Sequence, residues 1–245
     1  MHALSLVLWF VTGVDALEEK GRSGDHSAVS PVSREAEAWW KERLAKANER
    51  VRKGDVDLLF IGDSITQGWE DAGKTAWEKH FTPHKAVNLG FSGDRTQHVL
   101  WRLDHGNVAG ISPKAAVVMI GTNNSNGDDN SAQEIADGIQ AIVKKLRERL
   151  PSTRILLLAV FPRGEKPDAQ REKLERVNEI IAKLHDGKMV HFLDIGGKLM
   201  NADGTISAGI MPDFLHLSPK GYENWAEAIS AQLATMLQPP GTPVR

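Results

Sequence analysis

An apolar run, Val56–Ile61, leads directly into Gly62-Asp63-Ser64-Ile65. It places a hydroxyl where a buried strand gives way to a turn and a following helix can aim backbone N–H groups at an anion. Ser64 is therefore a candidate nucleophile. Gly, Asp and Ser are also ordinary turn residues, so the tripeptide carries little meaning alone. Three further segments supply what a serine nucleophile needs. Asn88-Leu89-Gly90-Phe91-Ser92-Gly93-Asp94 has two glycines that permit close backbone approach, and Gly121-Thr122-Asn123-Asn124 adds a side-chain amide, so both can bring neutral donors to one point. Asp213-Phe214-Leu215-His216 puts a carboxylate three residues ahead of an imidazole, near enough for Asp213 to hold the His216 Nδ1–H. The same spacing fits a metal half-site or a helix cap when it stands by itself. The succession of all four segments favours acyl transfer, with a nucleophile, oxyanion donors and an acid–base pair in turn.

Those segments need elements to hold them. Five apolar runs are long enough for buried strands: Val56–Ile61, Ala86–Leu89, Ala115–Ile120, Ile155–Val160 and Met189–Leu193. Helical patterns lie between and around them. Ser131–Leu150 opens on a capping box, Ser131 with Glu134, repeats Ile135, Ile139, Ile142 and Leu146 on one face, and stops at Pro151. Others are expected at 34–52, with Ala38, Trp39, Leu44 and Val51 apolar, near 95–103, and at 168–186. A last helix starts at Ser218-Pro219 and runs through Ala226, Ile229, Leu233 and Leu237. Non-alternating strands followed by crossover helices imply a mostly parallel five-stranded sheet covered on both faces, a three-layer α/β/α sandwich of flavodoxin-like type. In such a sheet ligands bind beyond the carboxyl ends of the strands, where the first three segments fall.

The chain has 245 residues, of which 41% are hydrophobic and 25% charged, the composition of an ordinary globular domain. A net charge of −2 without a basic stripe argues against nucleic acid as a partner. Zero cysteines exclude disulfides, thiol nucleophiles and zinc-thiolate sites. Leu4–Val14 has the length of a signal-peptide core and is too short to span a bilayer, so residues 1–16 are expected to be an export signal and the protein secreted or periplasmic. Met1-His2-Ala3 lacks the usual leading cation, and a cytoplasmic location is the alternative. Residues 17–33 read as a linker, 34–238 as one domain and 239–245 as a tail.

The four blocks GDSI (62–65), NLGFSGD (88–94), GTNN (121–124) and DFLH (213–216) resemble those of the SGNH or GDSL hydrolases. VLWRL (99–103), PRGEKP (162–167) and DFLHL (213–217) bring the chain near the platelet-activating-factor acetylhydrolase branch and its bacterial relatives, over about residues 35–237. The resemblance implies a triad of Ser64, Asp213 and His216. It implies an oxyanion hole from the Ser64 and Gly93 N–H groups and the Asn123 amide, with no metal or cofactor. Ile65, Thr122 and Leu215 fall where that branch limits the acyl pocket, which implies short acyl groups, acetyl above all. Asn124 stands where most of the wider family has Asp, as it does in the acetylhydrolase branch. Exported relatives imply an O-acetylated carbohydrate as substrate, with an acetyl phospholipid, lipase or thioesterase substrate as the alternative. A homodimer is compatible with the branch.

Other readings have less to rest on. Gly68-Trp69-Glu70-Asp71-Ala72-Gly73-Lys74-Thr75 satisfies the phosphate-loop pattern, yet it begins six residues after Gly62 and two carboxylates would face the phosphates, so a surface segment is expected. The histidine pairs at 80/84, 98/105 and 185/191 fit no zinc signature. The tryptophans are expected in the core, with Trp69 alternatively lining an acyl or sugar cleft. A non-catalytic carbohydrate-binding protein would be expected to have lost a triad member, and none is missing.

Overall fold

The computed structural model describes residues 26–238, so the expected export segment and tail lie outside the described residues. All five expected strands form: β1 (Leu58–Gly62), β2 (Ala86–Gly90), β3 (Ala115–Met119), β4 (Arg154–Leu158) and β5 (Val190–Leu193). They pair in parallel in the order β2-β1-β3-β4-β5. Every residue of β1 and β3 is buried, which is why their sequence shows no polar alternation.

Successive side chains feed two cores on opposite faces. Leu59, Ile61, Ala116, Val118, Ile155 and Leu157 pack with α4 (Thr96–Asp104), α5 (Ala132–Arg149) and α6 (Ala169–Ile181). Leu58, Phe60, Val117, Leu156 and Leu158 pack with α2 (Ser64–Gln67), α3 (Lys74–His80) and α7 (Pro219–Leu237). The result is the expected three-layer sandwich. The capping box at Ser131 and Glu134 starts α5, and Ser218 caps α7 by accepting from the Gly221 N–H. Tyr222, Trp225, Ile229, Leu233 and Met236 form the buried stripe of α7 at helical spacing.

Four local expectations are corrected. Helix α1 (Ala38–Arg52) starts four residues later than expected, and Trp40, not Trp39, is its buried aromatic. The reason is tertiary: Trp40 packs on Phe91 and its indole donates to Asp94, whereas Trp39 is 42% exposed. Within the expected linker, Ser27–Val29 is docked, with Ala28 fully buried and its carbonyl accepting from Thr96 Oγ1. Helices α2 and α3 are too short to show a period and were not expected. They absorb the phosphate-loop pattern into a short turn at Gly68–Glu70 and the start of α3, with Trp69 buried among aromatic rings; a Cβ at Gly73 would stand 2.7 Å from Trp69. Glu70, Asp71, Ala72, Lys74 and Thr75 are exposed, so the segment lies at the surface as expected, anchored to the core by Trp69 and Gly73.

Candidate active site

β1 delivers Ser64 through a tight junction. Asp63 caps α2, its Oδ1 accepting from the Ile65 N–H at 3.0 Å, so Ser64 becomes the first helical residue. The neighbouring strand fits closely only because Gly90 ends it: a Cβ there would sit 2.2 Å from the Gln67 nitrogen. On the far side Tyr222 donates to the Ile65 carbonyl at 2.6 Å, tying α7 to α2. Asp63 is fully buried and its Oδ2 has no partner among the described residues. Burial pushes this carboxyl up to about 7, the nearby Asp94 adding to the effect and the Ile65 N–H opposing it.

His216 reaches Ser64 from the loop before α7. Its Nε2 lies 2.9 Å from Ser64 Oγ and its Nδ1 2.6 Å from Asp213 Oδ2. Asp213 Oδ1 also accepts from the Leu215 and His216 N–H groups at 3.0 and 2.7 Å, which folds the loop into a single turn. Phe214, at the bend, has φ of +57°, a left-handed conformation costly for a bulky residue and held here between the Met211 carbonyl and the Gly164 N–H. Burial raises the Asp213 carboxyl, but the hydrogen bonds from His216 and the two N–H groups outweigh it, so the group lies below the usual range and stays ionised. An ionised Asp213 fixes the tautomer with its proton on Nδ1 and leaves Nε2 to accept from Ser64.

The loops after β2 and β3 carry the other expected donors. Gly93 has φ of +72°, and neither its N–H nor that of Ser64 has a hydrogen-bond partner among the described residues. Asn123 is half-buried and gives one Nδ2 hydrogen to the Asp94 carbonyl at 2.9 Å, which leaves the second to point elsewhere. The expected hole residues therefore stand on adjoining loops. Their supports were not anticipated. The Asp94 side chain accepts from Trp40 and Arg34 at 2.9 Å and from Arg102 at 2.8 Å, and both Asp94 and Arg102 are fully buried. Asn124, also fully buried, accepts from the Thr96 N–H and donates to Thr96, Gln97 and Asn130. Asn at this position thus locks the loop to α4 through neutral hydrogen bonds. The closing Asp of the glycine block was the visible signal for this hub, but two of its three partners are 54 and 60 residues away.

A cavity of about 260 Å3 opens at Ser64, lined by Gln67, Gly68, Asp71, Ala72, Ser92, His216, Leu217 and Tyr222. Ile65, Thr122 and Leu215 are not in its wall. Ile65 and Thr122 are 1% exposed, and Leu215 is half-buried against the core. A larger cavity, about 710 Å3, lies over edge strand β2 and shares Gln67 with the first. Trp69 is a core residue whose edge reaches that larger cavity and not the one at Ser64. No group of three or more metal-ligating side chains occurs among the described residues.

The model of the GDSL-like lipase/acylhydrolase family matches residues 60–223, a span that holds all four blocks. The chain belongs to this family. It is a carboxylic ester hydrolase. Among its relatives, platelet-activating factor acetylhydrolase IB subunit alpha1 of Bos taurus is 42% identical over 184 residues, 75% of this chain and 77% of the relative. The alpha2 subunit of Rattus norvegicus is 40% identical over 185 residues, covering 75% and 79%. Among solved structures, a GDSL-like lipase from Bacteroides thetaiotaomicron superposes with a TM-score of 0.59 at 18% identity, covering 79% of this chain and 97% of the other. Est24, a carbohydrate acetylesterase from Sinorhizobium meliloti, gives 0.58 at 20% identity, covering 74% and 100%. At these identities the two structures speak for the fold alone.

Proposed function

We propose that this hydrolase removes short acyl groups, acetyl above all, from O-acetylated carbohydrate through an acyl-Ser64 intermediate. The observation that carries the chemistry is the unbroken line Asp213–His216–Ser64, with contacts of 2.6 and 2.9 Å, and the Ser64 and Gly93 N–H groups and the Asn123 amide are read as its oxyanion donors. His216 takes the Ser64 proton as Oγ attacks the ester carbonyl, and the three donors hold the tetrahedral oxyanion. On collapse His216 passes that proton to the leaving alcohol. Water then enters, gives its proton to His216 and attacks acyl-Ser64, and Ser64 regains the proton as the carboxylic acid departs. Asp213 holds His216 in register and stabilises its charged form without taking the proton.

Acetyl is favoured because the chain's 40–42% identical relatives carry the name acetylhydrolase, and because the branched, buried Ile65 and Thr122 adjoin Ser64 and Asn123 in the chain. The carbohydrate is favoured by the polar side chains of Gln67, Asp71 and Ser92 lining the Ser64 cavity and by the apolar segment Leu4–Val14, on which the proposal of export rests. An acetyl phospholipid is the second reading, favoured by those same relatives. Acetate release from acetylated xylan, acetylated monosaccharides and an acetyl phospholipid decides between them. Release from the sugars in preference to the lipid is the expected result, and release from the lipid alone would overturn the carbohydrate reading.

A further inference from the structure

The cavity at Ser64 has a wall whose chemistry the acyl-transfer steps do not use. Of the residues expected to hold the oxyanion, Gly93 and Asn123 do not line it. Ser64 and His216 do line it. The leaving oxygen must lie within reach of His216 Nε2 to receive its proton, so the alcohol half of the ester is the part that this cavity can receive. Its 260 Å3 is far more than an acetyl methyl fills and somewhat below the ~300–1,000 Å3 of pockets for drug-sized ligands, a space suited to one ring.

Three polar side chains stand in that wall. Asp71 is exposed and its carboxylate makes no hydrogen bond or ion pair among the described residues. Its backbone is pinned, the N–H donating to the Gly68 carbonyl and the C=O accepting from the Lys74 N–H, both at 3.1 Å. The adjacent Glu70 behaves differently, because both its oxygens are taken by the Arg43 guanidinium. Gln67 uses its Oε1 to accept from the Ser92 N–H at 2.7 Å, which fixes the amide and leaves the Nε2 hydrogens without a partner among the described residues. The Ser92 hydroxyl is likewise unpaired there. A charged acceptor, an amide donor and a hydroxyl surround a floor of Gly68, Ala72 and Leu217. No Lys or Arg is in the wall to meet a phosphate. Its one aromatic besides His216, Tyr222, is 1% exposed and turned to the Ile65 carbonyl, so a quaternary ammonium has no open ring face to rest on.

We propose that Asp71, supported by Gln67 and Ser92, is the specificity-determining residue for the alcohol, and that the subsite takes a neutral sugar ring whose adjacent hydroxyls donate to the Asp71 carboxylate. The assignment rests on the esterase reading above. Hydrogen bonds to a charged group are the strong ones, so one of them separates a ring that offers the hydroxyls from an ester that lacks them.

The test compares kcat/KM for a mono-O-acetylated methyl xyloside, its analogue lacking the neighbouring hydroxyl, and p-nitrophenyl acetate, in the wild type, Asp71→Ala and Asp71→Asn. The ratio of xyloside to p-nitrophenyl acetate is expected to fall about 10–100-fold in Asp71→Ala, mostly through KM, and less in Asp71→Asn, which keeps one acceptor oxygen. The wild type's preference for the xyloside over its deoxy analogue is expected to disappear with it. A wild type that cleaves the xyloside, with a ratio unchanged in Asp71→Ala, overturns the subsite and leaves the carbohydrate reading standing. Equal loss on all three esters also overturns it, since that marks a structural role. A wild type that cleaves p-nitrophenyl acetate and no xyloside overturns both.

Discussion

At the scale of single residues, the site joins groups visible in the sequence to groups that were not. Ser64, Asp213 and His216 were legible because their types are rare together and each stands in a short local motif. Asn123 was legible as a donor, and the structure adds that one of its amide hydrogens is already committed to the Asp94 carbonyl. If the other serves the oxyanion, Asn123→Ala lowers kcat about 10²–10³-fold with little change in KM, because the interaction forms only as charge develops. Steady-state kinetics on p-nitrophenyl acetate checks this, and an effect confined to KM would recast Asn123 as a binding residue. Asp63 was read only as part of a turn, since nothing local reveals that it is fully buried. Its carboxyl titrates near 7 in the folded protein against an ordinary value of about 4, so between those values the folded state binds more protons than the unfolded one. Stability then falls as pH rises from about 4 to about 7, by about 4 kcal/mol at most for this group. Asp63→Asn keeps the oxygen that caps α2 and removes the titration. Its Tm relative to wild type is expected to be higher at pH 8 than at pH 4.5, and an equal difference at both would contradict the assignment.

At the scale of elements, the strands and long helices were legible because burial on both faces of a parallel sheet leaves continuous apolar runs, and because helix caps are local. The misread elements were decided by contacts distant in sequence. Helix α1 turns Trp40 inward to meet Asp94 and Phe91, and the docking of Ser27–Val29 depends on Thr96 in α4. Asp94 is where these contacts converge: its side chain binds α1 and α4, while its carbonyl holds the oxyanion loop through Asn123. Removing it leaves the fully buried Arg102 without its carboxylate, a change that costs about 3–5 kcal/mol in comparable buried pairs. Asp94→Ala is therefore expected to lower Tm by roughly 6–20 °C, as thermal scanning would show. Asp94→Asn, which keeps an acceptor for Trp40, is expected to lose less stability while still lowering kcat more than it changes KM. Unchanged kcat in both variants would separate the Asp94 hub from the oxyanion loop.

At the scale of the whole molecule, a three-layer sandwich with strand order β2-β1-β3-β4-β5 brings the loops after β1, β2 and β3 and the turn before α7 to one edge of the sheet. That convergence was legible because strand order in such folds follows from connection rules. The shape of the pocket was not, because which of Ile65, Thr122, Leu215, Gln67 and Asp71 faces the cavity depends on the packing of α2, α3 and α7. With the branched side chains of Ile65, Thr122 and Leu215 next to Ser64, Asn123 and His216 in the chain, kcat/KM for p-nitrophenyl esters is expected to be highest at acetyl or propionyl and to fall with chain length. A deep channel would instead add about 1 kcal/mol of binding per methylene, and a maximum at eight carbons or beyond would mark a lipase. The claim on which all else depends is that the converged loops make Ser64 the nucleophile, and kcat of Ser64→Ala on p-nitrophenyl acetate, with Tm measured alongside, tests it most directly. A loss on the order of 10⁶ at unchanged Tm is the predicted result. Retention of more than a tenth of the wild-type rate would contradict it.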